Sequence, residues 1–140
     1  MREILFRGKR LDNGEWVKGF YAKMPDASGK PNHIIYEPAK DPDSSNQTRF
    51  VNRESVGQFT GYYDDAGRRI FEGDILEYIT DGWLTRSRVF WWDGGWGLES
   101  MGLGREPMDA YSAQKTEVIG NIFDDPGLLE EEDVGAEVIW

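Results

Sequence analysis

The chain has 140 residues, 39% hydrophobic and 14% aromatic, with six Trp, no Cys and a formal net charge of -10. That length suits one compact domain with a real core and is short for two, and the missing Cys excludes disulfides, thiolate metal sites and a Cys nucleophile. No apolar run approaches the ~18 residues of a membrane span, and the opening Met1-Arg2-Glu3-Ile4-Leu5-Phe6-Arg7 lacks a signal peptide's apolar stretch, so a cytoplasmic protein is expected.

Residues 1–24 predict a hairpin, with Ile4, Leu5 and Phe6 on one strand and Trp16 to Tyr21 on the other, joined at Asn13-Gly14. Asn-Gly is a strong hairpin signal because both residues tolerate positive φ, so Gly14 is a structural turn residue. Residues 25–32 are mostly turn formers and read as a loop. His33 to Glu37 reads as a short strand, 38–48 as a second loop and Arg49-Phe50-Val51 as a weak strand.

Val56 to Thr60 predicts a strand that turns at Asp64-Asp65-Ala66-Gly67 and returns through Arg69-Ile70-Phe71. Glu72-Gly73-Asp74 punctuates the entry to Ile75–Thr80, and Asp81-Gly82 makes the next tight turn. Trp83 to Trp92 then alternates: Leu84, Arg86, Arg88, Phe90 and Trp92 on one face, Trp83, Thr85, Ser87, Val89 and Trp91 on the other. Asp93-Gly94-Gly95 turns the chain into Trp96 to Glu99, completing a three-stranded meander. Residues 102–116 have no clear period and form a long connection with room for one helical turn over Ala110 to Lys115. Val118 to Ile122 closes the sheet. Short strands punctuated by turn signals point to an all-β barrel.

The charge is concentrated at one end. Residues 124–140 carry seven acids and no Lys or Arg, whereas the other residues hold 19 acids and 16 bases, a net of -3. Asp124-Asp125-Pro126 can begin a short helix. The stretch reads as a solvated acidic tail or as a lure for a basic partner. Its Val134-Gly135-Ala136-Glu137-Val138-Ile139-Trp140 ending is apolar enough to dock on a neighbouring subunit or on the body of the domain.

Candidate chemistry is sparse. Gly73-Asp74 invites a catalytic or metal reading, but Gly permits the kink and Asp can bond nearby backbone N–H groups, so both are read as turn residues, as are Gly67 and Gly94. Glu72 and Asp74 would share a strand face, without a partner base or third acid. His33, the sole His, has no metal-ligand spacing around it. No phosphate-binding loop or nucleophile elbow appears. No metal or cofactor is expected, and the chain reads as non-enzymatic. The strongest surface candidate is Arg86 and Arg88 with Phe90, Trp92 and Trp96, basic groups among aromatic platforms of the kind that hold single-stranded nucleic acid. The competing reading has Trp91 or Trp92 filling the core and the Arg residues solvated. The overall acidity weighs against phosphate.

Four phrases in this order resemble one family: Arg2-x-Ile4-x-Phe6-Arg7-Gly8-Lys9, Val56-Gly57-Gln58-Phe59-Thr60-Gly61, Ile70-Phe71-Glu72-Gly73-Asp74-Ile75 and Glu117-Val118-Ile119-Gly120-Asn121-Ile122-Phe123. Together they are similar to the YopX-like phage protein family over residues 2–129. The resemblance implies a phage or prophage product, acting in the host cytoplasm, with an SH3-like β-barrel part, and it carries over no catalytic residue. The expectation is a mainly β protein, a single domain over 1–123, with the barrel in 56–123, an N-terminal β extension over 1–55 and an acidic tail over 124–140. Its expected role is a binding or assembly module with a protein partner, including a second copy of itself. The alternative is a nucleic-acid-associated accessory protein using the Arg86/Arg88 face. A hydrolase built on Glu72, Asp74 or the acids of the long loop is the third reading.

Overall fold

The structure, a computed structural model, describes residues 2–100, 102 and 104–130. Residues 131–140, most of the expected acidic tail, lie outside the described residues. The chain is mainly β and divides into two compact units, Met1–Phe59 and Thr60–Trp140.

In the first unit, β1 (Phe6–Lys9), β2 (Trp16–Pro25), β3 (Pro31–Glu37), β4 (Gln47–Phe50) and the start of β5 (Gly57–Tyr63) are hydrogen-bonded neighbours in the order β4-β3-β2-β1-β5. The Asn13-Gly14 turn joins β1 to β2 and sets the register Phe6↔Gly19 and Lys9↔Trp16. That register starts the first strand at Phe6, beyond Ile4 and Leu5. β2 and β3 approach closely at Gly19, where a Cβ would stand 1.8 Å from the Tyr36 carbonyl oxygen, so only Gly fits. Val17, Ile35 and Val51 form the core of this unit, flanked by Phe6, Tyr21 and Val56.

In the second unit, the rest of β5 is followed by β6 (Arg69–Phe71), β7 (Asp74–Thr80), β8 (Trp83–Trp92), β9 (Gly95–Ser100), β10 (Gly104–Pro107), α1 (Ala110–Ala113) and β11 (Glu117–Asn121), then a 3-10 turn over Pro126–Glu130. Five strands form an antiparallel sheet in the order β10-β9-β8-β7-β11. Both Asp-Gly turns place two successive residues at positive φ, Asp81 and Gly82 at 51° and 83°, Asp93 and Gly94 at 51° and 79°. This is the geometry whose twist suits a tight hairpin. Ile70, Leu76, Val89, Leu98, Met108 and Ala113 make the core, with Tyr62, Tyr78, Trp96 and Val118 packed against it.

Neither strand order closes on itself, which corrects the expected barrel. A barrel needs its first and last strands to pair. Here the five-stranded order ends on β10 and β11, and the six-stranded order, β4-β3-β2-β1-β5-β6, ends on β4 and β6. β10 falls inside the stretch expected to be a connection. Its Gly-Arg-Glu-Pro sequence has no strand pattern, and pairing with β9, Arg105 opposite Glu99, makes it a strand.

A buried carboxylate fastens the β5–β6 turn. Asp64 is 3% exposed. Its Oδ1 accepts the amides of Ala66 (3.0 Å) and Arg68 (2.8 Å), and its Oδ2 accepts the Arg68 guanidinium (2.8 Å) and the amide of Val118 (3.0 Å), 54 residues away in sequence. Burial pushes this carboxyl up, but the hydrogen bonds from Val118, Arg68 and Ala66 and the Arg68 charge outweigh it and hold the group below the usual carboxylate range. Replacing Asp64 with Ala leaves the amides of Ala66, Arg68 and Val118 without their acceptor and is expected to lower unfolding free energy by about 2–4 kcal/mol in urea. The folded pKa lies below the unfolded value of about 3.9, so the contribution is complete above that pH and disappears as pH falls through the folded value. The stability gap between wild type and Asp64→Asn should therefore close on acidification below about pH 4. A gap that widens there would contradict the assignment.

Candidate functional site

The β8 face carries Arg86, Arg88, Phe90 and Trp92 at alternating positions, as the period requires. Trp96 does not join them: it stands opposite Trp91 on β9, their rings edge-on at 4.9 Å, and packs on the core. Neither Trp91 (56% exposed) nor Trp92 (38%) fills the interior, which β8 supplies instead with Thr85, Ser87 and Val89.

Both guanidinium groups on this face meet carboxylates of neighbouring strands. Arg86 Nε donates to Glu77 at 2.8 Å and its Nη1 donates to the Leu128 carbonyl at 3.0 Å. Arg88 Nε donates to Glu99 at 2.8 Å, and Arg105 Nε donates to the other oxygen of Glu99 at 2.7 Å. Hydrogen bonds from Arg105 and Arg88 hold Glu99 below the usual carboxylate range. The Phe90 ring lies under two of these cations, 5.0 Å from Arg88 and 5.4 Å from Arg105, and stacks with Trp92 at 6.2 Å. A phosphate would have to compete with Glu77 and Glu99 for these groups.

The remaining singled-out residues sit in backbone machinery. Gly14, Gly67 and Gly94 are at positive φ in their turns. Gly73, at φ 89°, works as a clasp: its N–H donates to the Val89 carbonyl at 2.8 Å and its carbonyl accepts the Ile122 amide at 2.8 Å. The adjacent Asp74 is buried, and its Oδ2 accepts the Phe71 amide at 2.7 Å. His33 Nδ1 lies 2.6 Å from the Tyr21 hydroxyl, the two rings stacked within 7° of parallel. Burial pushes the Tyr21 hydroxyl up. Among the described residues, no group of three or more His, Cys, Asp or Glu is placed to hold a metal, and no helix is long and apolar enough to cross a membrane.

Two features escape sequence reasoning. The first is a cavity of about 180 Å³ in the second unit, whose lining includes Tyr78, Glu106, Ser112 and Lys115. The Tyr78 hydroxyl donates to Glu106 Oε1 at 3.0 Å and lies 2.7 Å from Ser87 Oγ. Burial pushes it well above its ordinary value. Lys115 Nζ sits over the Tyr111 ring at 4.1 Å. Glu106 comes from β10, the strand with no sequence signal.

The second is the outer face of the first unit's sheet. The registers Arg7↔Lys18, Lys9↔Trp16, Phe20↔Tyr36, Ala22↔Ile34, Met24↔Asn32, Ile34↔Phe50 and Tyr36↔Thr48 put these residues on one face, opposite the core residues Val17 and Ile35. Phe20, Tyr36 and Phe50 remain 64%, 43% and 49% exposed around a fully buried Ile34. Arg7 and Lys9 lie over the Trp16 ring, at 4.7 and 5.8 Å. No strand position on this face is Asp or Glu. The alternation in Trp16-x-Lys18-x-Phe20-x-Ala22-x-Met24 was the available signal, since it places aromatics and cations opposite Val17, Gly19 and Tyr21.

The family described as "YopX protein" matches residues 5–130, and the chain belongs to it. No curated protein matches the chain. Among solved structures, the crystal structure of protein EF1440 from Enterococcus faecalis is similar, with 22% sequence identity and a TM-score of 0.58, covering 92% of this chain and 99% of that one. At that identity the likeness is one of fold.

The paired arginines generate a test. Arg86→Ala with Arg88→Ala is expected to leave low-salt affinity for a single-stranded oligonucleotide within about threefold, under ~1 kcal/mol, while lowering the urea midpoint through the lost contact with the Phe90 ring and the lost hydrogen bond to the Leu128 carbonyl. A gel-shift loss of tenfold or more would restore this face as a nucleic-acid interface.

Proposed function

We propose that this chain is a non-enzymatic assembly module that binds a second copy of itself through the outer face of its first unit. The observation that carries the reading is the aromatic cluster Phe20, Tyr36 and Phe50, exposed on a sheet face around the buried Ile34. Exposed aromatics grouped on a rigid element mark interaction surfaces, because their burial against a partner recovers large apolar area at little entropic cost.

Charge favours a second copy as that partner. Residues 1–59 hold ten Lys or Arg against eight Asp or Glu, a net of +2. Residues 60–140 hold six against eighteen, a net of -12. The two ranges thus differ in the sign of their net charge, which favours contact between the first unit of one copy and the oppositely charged range of another.

The fold reading that accompanies this assigns the SH3-like part to the second unit, supported by its antiparallel order β10-β9-β8-β7-β11. A phage or prophage origin and a place in the host cytoplasm belong to the same reading and rest on the family resemblance. The nucleic-acid alternative is weaker on the face where the sequence put it, since Glu77 and Glu99 already engage Arg86 and Arg88. The hydrolase reading finds Asp74 bonded to the Phe71 amide inside its own turn.

Sedimentation velocity tests the proposal. The weight-average mass of the wild-type chain is expected to rise with concentration, and Phe20→Asp with Phe50→Asp to stay monomeric with an unchanged circular-dichroism spectrum. A wild-type chain that stays monomeric at millimolar concentration would remove the assembly role.

A further inference from the structure

We infer that the cavity on the core face of the second unit binds a small zwitterion, a free α-amino acid, with Glu106 taking its ammonium group and Lys115 its carboxylate. The inference concerns the second unit alone and stands apart from the assembly reading.

The registers Tyr78↔Thr85, Leu76↔Ser87, Val89↔Leu98 and Leu98↔Glu106 put these residues on one face of the five-stranded sheet. Leu76, Val89 and Leu98 build the core there. The rest of the row is polar although much of it is buried, with Thr85 5% exposed and Ser87 wholly inside. Polar groups on a core face cost free energy unless each is bonded, and apolar residues of similar size serve packing as well. Here Ser87 Oγ meets the Tyr78 hydroxyl at 2.7 Å, and that hydroxyl donates to Glu106 Oε1 at 3.0 Å. Burial keeps the phenol protonated. The row therefore ends on a carboxylate oriented through one oxygen. Among the described residues, Glu106 forms no ion pair and its Oε2 accepts no hydrogen bond.

Lys115 lines the same cavity from the turn that follows α1. Its Nζ lies 4.1 Å from the centre of the Tyr111 ring, and its charge helps to lower the Asp109 carboxyl. Among the described residues, no carboxylate forms an ion pair with it. The cavity thus holds a carboxylate and an ammonium that do not satisfy one another, alongside apolar lining from Leu98 and Pro107. A ligand that complements both carries one charge of each sign, and charge-assisted hydrogen bonds at its two ends are stronger than neutral ones. The volume is about 180 Å³. That is close to the ~150 Å³ that admits benzene in an engineered cavity, so the ligand has roughly six to eight non-hydrogen atoms. Alanine, serine and valine fall in that range. Pro107 and Lys115 are exposed, which leaves a way in from solvent.

Nitrogen-15 NMR of the full-length chain reads the site residue by residue. L-Alanine, L-serine and L-valine are titrated separately. At least one is expected to saturate at low-millimolar concentration or below, the range open to so small a ligand, and to move the amides of Tyr78, Leu98, Glu106 and Lys115. For the tightest binder, the analogue without its amine and the analogue without its carboxylate should each bind at least about tenfold more weakly. Glu106→Gln, which still accepts the Tyr78 hydroxyl, is expected to erase the preference over the analogue without the amine. Lys115→Met is expected to erase the preference over the analogue without the carboxylate. Four results overturn the inference: no saturable shift from any of the three amino acids, equal affinity for an amino acid and both analogues, shifts that avoid the cavity residues, or amino-acid binding unchanged in Lys115→Met. Because Lys115 is exposed, that variant keeps the test decisive if Glu106→Gln fails to fold. None of these results bears on self-association, which sedimentation reads separately.

Discussion

The second unit depends on the carboxylate of Asp64. β11 is an edge strand of the five-stranded order, and its pairing with β7 is interrupted by a register shift between Val118 and Gly120. An amide at such a place loses its regular ladder and, if buried, must find another acceptor. Asp64 Oδ2 accepts the Val118 amide, and the Asp65 amide donates to the Thr116 carbonyl at 2.8 Å. The β5–β6 turn therefore does for this edge what a further strand would do. The carboxylate is kept charged by its donors, so turn and edge are joined through a group whose neutralisation would loosen both.

The two sheet surfaces differ in composition. On the β8 face each arginine is matched across the strands, Arg86 with Glu77 and Arg88 with Glu99, which also holds Arg105. Such partly exposed pairs add little stability, but they cancel the local field and hold Phe90 between two guanidinium groups. On the outer face of the first unit, the strand positions are cationic, aromatic or neutral. Exposed aromatics on such a face favour a partner that covers them, and the charges beside them select among partners more sharply than apolar area alone.

What the residues disclose in advance follows from the range of the interaction. The Asp-Gly turns, the alternation of β8 and the turn role of Asp74 are local, and they are legible because φ preferences and side-chain period act within a few residues. The family phrases are legible too, since they are short and ordered. Closure is not: each strand's pattern says which face is buried and nothing about its neighbour, so a run of short strands reads equally as a barrel or as open sheets. The carboxylate pairing of Arg86 and Arg88 depends on β7 and β9 registers that alternation cannot supply. β10 is invisible because Gly104 and Pro107 are poor strand residues, and with it the part that Glu106 and Pro107 play in lining the cavity is lost. Asp64 reads as an ordinary turn acid because its decisive donor is 54 residues away.

The edges limit how such a protein can assemble. β4 and β10 have four residues each and β6 three. Edges this short give strand-to-strand pairing few hydrogen bonds and little register, which guards against indiscriminate sheet extension. Stable association through them needs side-chain contacts from a flanking face, and the face flanking β4 supplies three exposed aromatics. Arg7, Lys9 and Lys18 stand two or three strands away, on β1 and β2, so the side chains next to this edge are the aromatics Tyr36 and Phe50 of β3 and β4. The first unit thus combines a weak backbone template with aromatic contacts that a partner must meet at the same time, an arrangement that keeps the chain from aggregating with itself at every edge.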